Sequence, residues 1–245
     1  MSSDSSDSDD ERELEPLPVL IGRLEPHDYD GHVSLAKRAR EEGELDHLRT
    51  IREKFAEAFP LTEEIWLEWI QDEIKLLDET AEDSDHEKVV KLFEQGIEDY
   101  HCPKLWLEYI QYAIKWLGEE NGLARFRSLC ERAISRVGLD PENGASIWEV
   151  YRETEKMIES DDQKEIISKL YRRQVALPIY QNDETYKEFK QFNQEAWKQT
   201  KSAYDKALMK VKEIEPFESA IRSAASPKES LLIKSAFFRP GTFWP

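Results

Sequence analysis

The chain has only two cysteines, Cys102 and Cys130, and nine glycines in 245 residues. Neither cysteine belongs to a Cys-x-x-Cys or Cys/His pattern, so the pair suits a reducing compartment and points to no metal site. No Gly-rich phosphate loop, no Ser/His/Asp order and no His-x-x-x-His is present, which removes the common signatures of nucleotide, nucleophilic and zinc chemistry. His32 and His47 have no nucleophile or ligand partner in a recognisable motif, so packing or surface roles are expected of them. A run of about 18 apolar residues is missing, so no membrane-spanning helix is expected. The first residues are acidic and polar, unlike a secretory signal peptide. Basic charge is also scarce: 34 Lys and Arg stand against 52 Asp and Glu, a net charge of −18. Binding a phosphate backbone needs a dense basic surface, and the chain as a whole has the wrong sign for it. These absences point away from an enzyme and imply no cofactor and no metal.

What is present is a period. Aromatic pairs three apart occur as Trp66 and Trp69, Trp106 and Tyr109, Trp148 and Tyr151, Tyr186 and Phe189, at spacings of 40, 42 and 38 residues. Residues three apart share one face of a helix, and a period near 40 is the length of a helix pair with its turns. A second signature interleaves with it, an apolar pair four apart: Ile51 and Phe55, Phe93 and Ile97, Cys130 and Ile134, Tyr171 and Val175, Tyr204 and Leu208. Prolines at 60, 103, 141, 178 and 216 are expected to stop each second helix, since proline lacks the donor that a helix interior needs. The expected fold is all-α, a right-handed superhelical stack of about five helical hairpins. At one phase of every repeat the eight aromatics read as structural wedges between neighbouring helices. The competing reading, a box that stacks bases or grips a peptide, fits that recurrence less well. Glu73 and Glu155 each follow their tryptophan by seven, where a carboxylate could bond a neighbouring helix.

The organisation expected along the chain has four parts. Residues 1–15 form a Ser/Asp tail that cannot bury enough apolar surface to order itself. Residues 16–28 are a lead-in whose Pro16, Pro18 and Pro26 delay the first helix. Residues 29–217 carry the repeats, beginning with an atypical hairpin whose first helix runs from about Tyr29 to Glu42. Residues 218–245 form a divergent, poorly ordered tail. Thr62 is expected to cap the helix that follows it, Ser84 or Asp85 the next, and Asp161 or Asp162 a later one.

Charge is uneven. Glu63 to Glu87 holds eleven acids and one base, Lys75, whereas Lys187 to Lys212 holds seven lysines and three acids. A solvated outer face is the plain reading of both. The functional one makes Glu79, Glu82, Asp83 and Asp85 an acidic surface for basic protein segments, and gives the lysine stretch an RNA or an acidic partner.

Trp-x-x-Tyr/Trp-apolar-x-x-Glu in the first helix and an apolar-Glu-Arg-Ala-Ile string in the second, seen best in Cys130-Glu131-Arg132-Ala133-Ile134, resemble half-a-TPR (HAT) repeats. Over about Leu24 to Ala220 the chain resembles the N-terminal HAT domain of the U4/U6 small nuclear ribonucleoprotein recycling factors. The resemblance implies a protein-binding scaffold in pre-mRNA splicing, a nuclear location, and as partners splicing factors and basic segments such as histone tails, with RNA association indirect. That family continues into further HAT repeats, a basic localisation region and two RNA-recognition motifs. This chain is expected to be a truncated form or fragment without them, and the oligomeric state does not follow from the residues. A general TPR-like adaptor would need a carboxylate clamp of lysines and asparagines along its groove. The lysines here cluster late, which disfavours that alternative.

Overall fold

The computed structural model describes residues 15–77 and 81–224. Residues 1–14, 78–80 and 225–245 lie outside them, and with them the expected Ser/Asp tail up to its last residue and most of the divergent tail. Every regular element among the described residues is helical. The helices fall into two compact units, 1–100 and 101–245.

The first unit holds α1 (Leu17–Arg23), α2 (Tyr29–Glu42), α3 (Leu45–Ala58), α4 (Glu63–Leu76) and α5 (Asp83–Asp99). The lead-in is thus itself a short helix, where the prolines had been expected to delay one. Pro16 takes the N-cap position of α1 and Pro18 lies in its first turn, where no backbone donor is missed. Leu17 and Ile21 of α1 close a core with Ala39, Leu48 and Ile51 of α2 and α3. The α2–α3 turn rests on Gly43, left-handed at φ 75°, whose N–H bonds to Arg40 O. This C-cap needs a residue without a Cβ. His32 is buried, stacked on Phe55 at 5.0 Å, and its Nδ1 donates to the Asp28 carbonyl at 2.7 Å. α4 and α5 form the second pair.

The second unit holds α6 (Pro103–Ala113), a 3₁₀ turn (Ile114–Gly118), α7 (Gly122–Val137), α8 (Gly144–Met157), α9 (Gln163–Val175), α10 (Asn182–Phe192), α11 (Gln194–Lys198) and α12 (Lys201–Ser223). From α6 to α10 each helix packs on the next, and α6 also packs on α8. Gly122 starts α7 so close to the 3₁₀ turn that a Cβ there would lie 1.6 Å from Trp116 O.

Caps and stops differ in detail from expectation. Thr62 and Asp162 occupy N-cap positions without a side-chain hydrogen bond. Glu82 caps α5, and Asp85 returns the bond to its backbone in a capping box, the reciprocal arrangement that satisfies two helix-end donors. Pro103 begins α6 at its first turn. Pro216 does not end a helix: α12 runs through it to Ser223, past the boundary at 217. Four apolar pairs of the second helices are buried, but in the fifth Tyr204 is half-buried and Leu208 is 39% exposed. The chain breaks at Gln199–Thr200 between α11 and α12.

Candidate docking site

The repeat aromatics are internal. Trp66, Trp106, Trp148 and Tyr109 are each 2% exposed, Trp69 and Tyr151 4%, and Phe189 0%. Trp66 stacks on Trp69 at 5.4 Å and donates from Nε1 to Asp99 at 2.8 Å. Trp148 donates to the Gly138 carbonyl at 3.0 Å. Phe189 stacks on Tyr171 at 5.0 Å. Tyr186 is only half-buried and lies flat on Tyr204, centroids 3.9 Å apart. Seven of the eight therefore offer almost no face to a ligand.

In three of the four aromatic repeats the residue seven after the first aromatic bonds back to the preceding pair's second helix; in the third hairpin it is Ala113. Glu73 receives Arg49 of α3 through two bonds, 2.9 and 2.8 Å. Glu155 receives Arg127 of α7 through two, 2.7 and 2.8 Å. In the fifth repeat the equivalent residue, Asn193, donates to Ser168 of α9 at 3.0 Å. Bidentate arginine–carboxylate geometry is the strong form of such a bond, and it holds both guanidiniums above their ordinary pKa. Glu155 is fully buried, whereas Glu73 keeps 18% of its side-chain surface.

A second recurring contact is absent from the sequence expectations. Arg132 of α7 lies 5.6 Å from the Trp106 ring, and Arg173 of α9 lies 5.1 Å from the Trp148 ring. Arg173 also grips Glu131 of α7 with two bonds, 2.7 and 2.8 Å. Both arginines stand two after the first residue of the apolar pair. The same place on α5 is Gln95. Spacing alone marks that position; the ring over which the guanidinium lies appears only once the helices are paired.

The acidic run of the second repeat divides in two. On α4, Glu68 and Asp72 are bound by Arg40 at 2.7 and 2.8 Å and by the buried Arg52 at 2.9 and 2.8 Å. That half is a joint to the first pair and not a solvated stripe. Of the four acids marked as a partner surface, Glu82 and Asp83 are exposed at the start of α5. Asp85 is half-buried and bound by Lys88 at 2.8 Å. Glu79 lies outside the described residues. The lysine-rich stretch is spread over α10, α11 and α12, with Lys190 5.0 Å from the Trp197 ring.

Between α3 and α5 the first unit opens into a groove of about 1270 Å³ with α4 at its floor. Leu76, Leu77 and Leu92 are partly or fully open to it, and Glu53 and Glu57 line its α3 wall. Among the described residues no group of three His, Cys, Asp or Glu could hold a metal ion. Cys102 and Cys130 are buried free thiols. Burial drives the Cys130 thiol well above its ordinary pKa, the opposite of an activated nucleophile.

Residues 22–191 match the family model of the PRP39 N-terminal HAT repeat. The chain belongs to that family. It is 40% identical over 217 residues to "Spliceosome associated factor 3, U4/U6 recycling protein" of Mus musculus, covering 88% of this chain and 22% of that protein. To the Danio rerio protein of the same name it is 41% identical over 220 residues, 82% of this chain and 23% of the relative. A more distant similarity, 26% over 194 residues, is to "mRNA 3'-end-processing protein RNA14" of Gibberella zeae, covering 72% and 19% of the two chains. The chain thus spans about a fifth of the length of these relatives. As a HAT-repeat domain it is homologous to part of the recycling protein, and no helix among the described residues is long and apolar enough to cross a membrane.

Proposed function

We propose that the chain is a nuclear protein-docking scaffold of pre-mRNA splicing, serving assembly or recycling of the U4/U6 small nuclear ribonucleoprotein. The observation that carries this reading is the 40% identity to the U4/U6 recycling protein across 88% of the chain. The buried aromatics add to it. Their faces are spent on helix packing, so a partner is met by outer faces and grooves, as in other stacked-repeat proteins. Glu82 and Asp83, exposed at the start of α5, offer an acidic surface suited to basic segments such as histone tails. RNA is reached indirectly: seven lysines on three helices, among a net charge of −18, release few counterions on binding a phosphate backbone.

Capture from nuclear extract on the immobilised chain tests this. Splicing proteins are the expected catch; chaperones in their place would establish the general adaptor instead. A fluorescence titration with U6 RNA at about 0.15 M salt should give weak or no binding. Sub-micromolar affinity lost on mutating Lys198, Lys201, Lys206 and Lys210 would overturn the indirect role.

A further inference from the structure

We infer that the groove between α3 and α5 docks a basic amphipathic helix of a partner protein. The inference rests on the scaffold reading above and names the chemistry of one of its partners.

Size comes first. Two turns of a helix 10–12 Å across fill roughly 850–1200 Å³, close to the 1270 Å³ of the groove. The α3 wall from Arg49 to Glu57 is about 12 Å long at 1.5 Å per residue, again two turns. The floor supplies an apolar track. Leu76 is 46% exposed, and Leu77 and Leu92 are half-buried beside it. Such a track takes the apolar stripe of an amphipathic helix.

Charge then selects the partner's sign. Seven carboxylates and three cations line the groove. Two of those cations are engaged, Arg49 with Glu73 and Lys88 with Asp85. On the α3 wall Glu53 and Glu57 stand one turn apart, exposed, and form no ion pair among the described residues. Like charges at this spacing weaken a helix, an effect that a cationic occupant would relieve. The groove also coincides with a difference in sequence between neighbouring repeats. Where the next two repeats carry Arg132 and Arg173 over their tryptophans, α5 carries Gln95, which lines this groove. Gln95 places no guanidinium there and lines the groove opposite the carboxylates of α3.

The probe is a synthetic peptide of about 18 residues, long enough to be helical, with leucines in one stripe and lysines flanking it. Its control is a scrambled isomer whose leucines are spread around the helix. Fluorescence anisotropy on the full chain at about 0.15 M salt should show the striped peptide binding at least about tenfold more tightly than the isomer. Glu53→Lys with Glu57→Lys should weaken it about tenfold, and Leu76→Ser about fivefold, with circular dichroism unchanged. Glu213→Lys with Glu215→Lys, exposed acids of α12 in the other unit, should leave affinity within about twofold. Equal binding of the two peptides, or affinity indifferent to both groove variants, overturns the inference. The nuclear-extract capture keeps the two readings apart. Splicing proteins captured without peptide binding remove the groove and leave the scaffold; peptide binding without splicing proteins does the reverse.

Discussion

Removing Arg127 should hurt this protein far more than removing Arg49, although the two arginines bind carboxylates at equivalent positions of the repeat. Both make two bonds to the carboxylate seven after a repeat tryptophan, at 2.7–2.9 Å. What differs is the water around the acid. Glu73 keeps 18% of its side-chain surface, so on loss of Arg49 it can be rehydrated. A partly exposed pair of this kind is worth about 0–1 kcal/mol. Glu155 is fully buried, with the desolvated Cys130 and Tyr151 around it. Arg127→Ala strands a carboxylate there, at a cost of about 3–5 kcal/mol. Arg127→Met with Glu155→Leu removes both charges and should return stability to within about 1–2 kcal/mol of wild type, because desolvation of the ion pair is removed along with its attraction. Urea unfolding followed by circular dichroism measures the three variants beside wild type. If Arg127→Ala costs no more than Arg49→Ala, burial is not what sets the strength of these joints and the argument fails.

Trp106→Ala should cost about 3–5 kcal/mol as a cavity in packed core; a melt like wild type would remove the wedge role. Stability should fall as pH rises from about 9: burial raises Cys130 and Tyr151 above ordinary values of 9.0 and 10.0, and Tyr112 to about 12. The fold holds those protons more tightly than the unfolded chain, so their contribution is whole below the ordinary values and is lost above them. Thermal melts across the alkaline range check this, and Cys130→Ala should flatten the first part of the decline. Pro216→Ala should restore a bond to the Lys212 carbonyl and strengthen α12 by up to about 3 kcal/mol; amide exchange over 212–223 that fails to slow would contradict it.

The hairpins were legible because their signals are local and repeated. Trp66, Trp106 and Trp148 mark one helix of each pair by spacing alone. Glu73 and Glu155 could be picked out by the same count, but not their partners, since Arg49 and Arg127 precede them by 24 and 28 residues. The prolines misled where position within a helix matters more than presence. Pro18 sits in a first turn that has no donor to lose, and Pro216 sits mid-helix, where the flanking turns carry the chain through. The acidic run from Glu63 misled for another reason. Composition cannot tell a solvated carboxylate from one that faces an arginine, and Glu68 and Asp72 are of the second kind. The groove left one trace, Gln95 in place of arginine, which has meaning only beside a neighbouring pair.

The joint between the first hairpin and α4 responds to salt. Arg40, Arg49 and Arg52 reach it through long side chains to Glu68, Asp72 and Glu73. Ions in solution slacken the exposed ties of Arg40 and Arg49 more than that of the buried Arg52. The joints of the second unit include buried rings, such as Phe126 against Tyr151 at 6.2 Å, which separate only by opening a void. The joint at the first hairpin is thus held in part by charge that salt can reach, and the second unit's joints in part by packed volume that salt cannot reach.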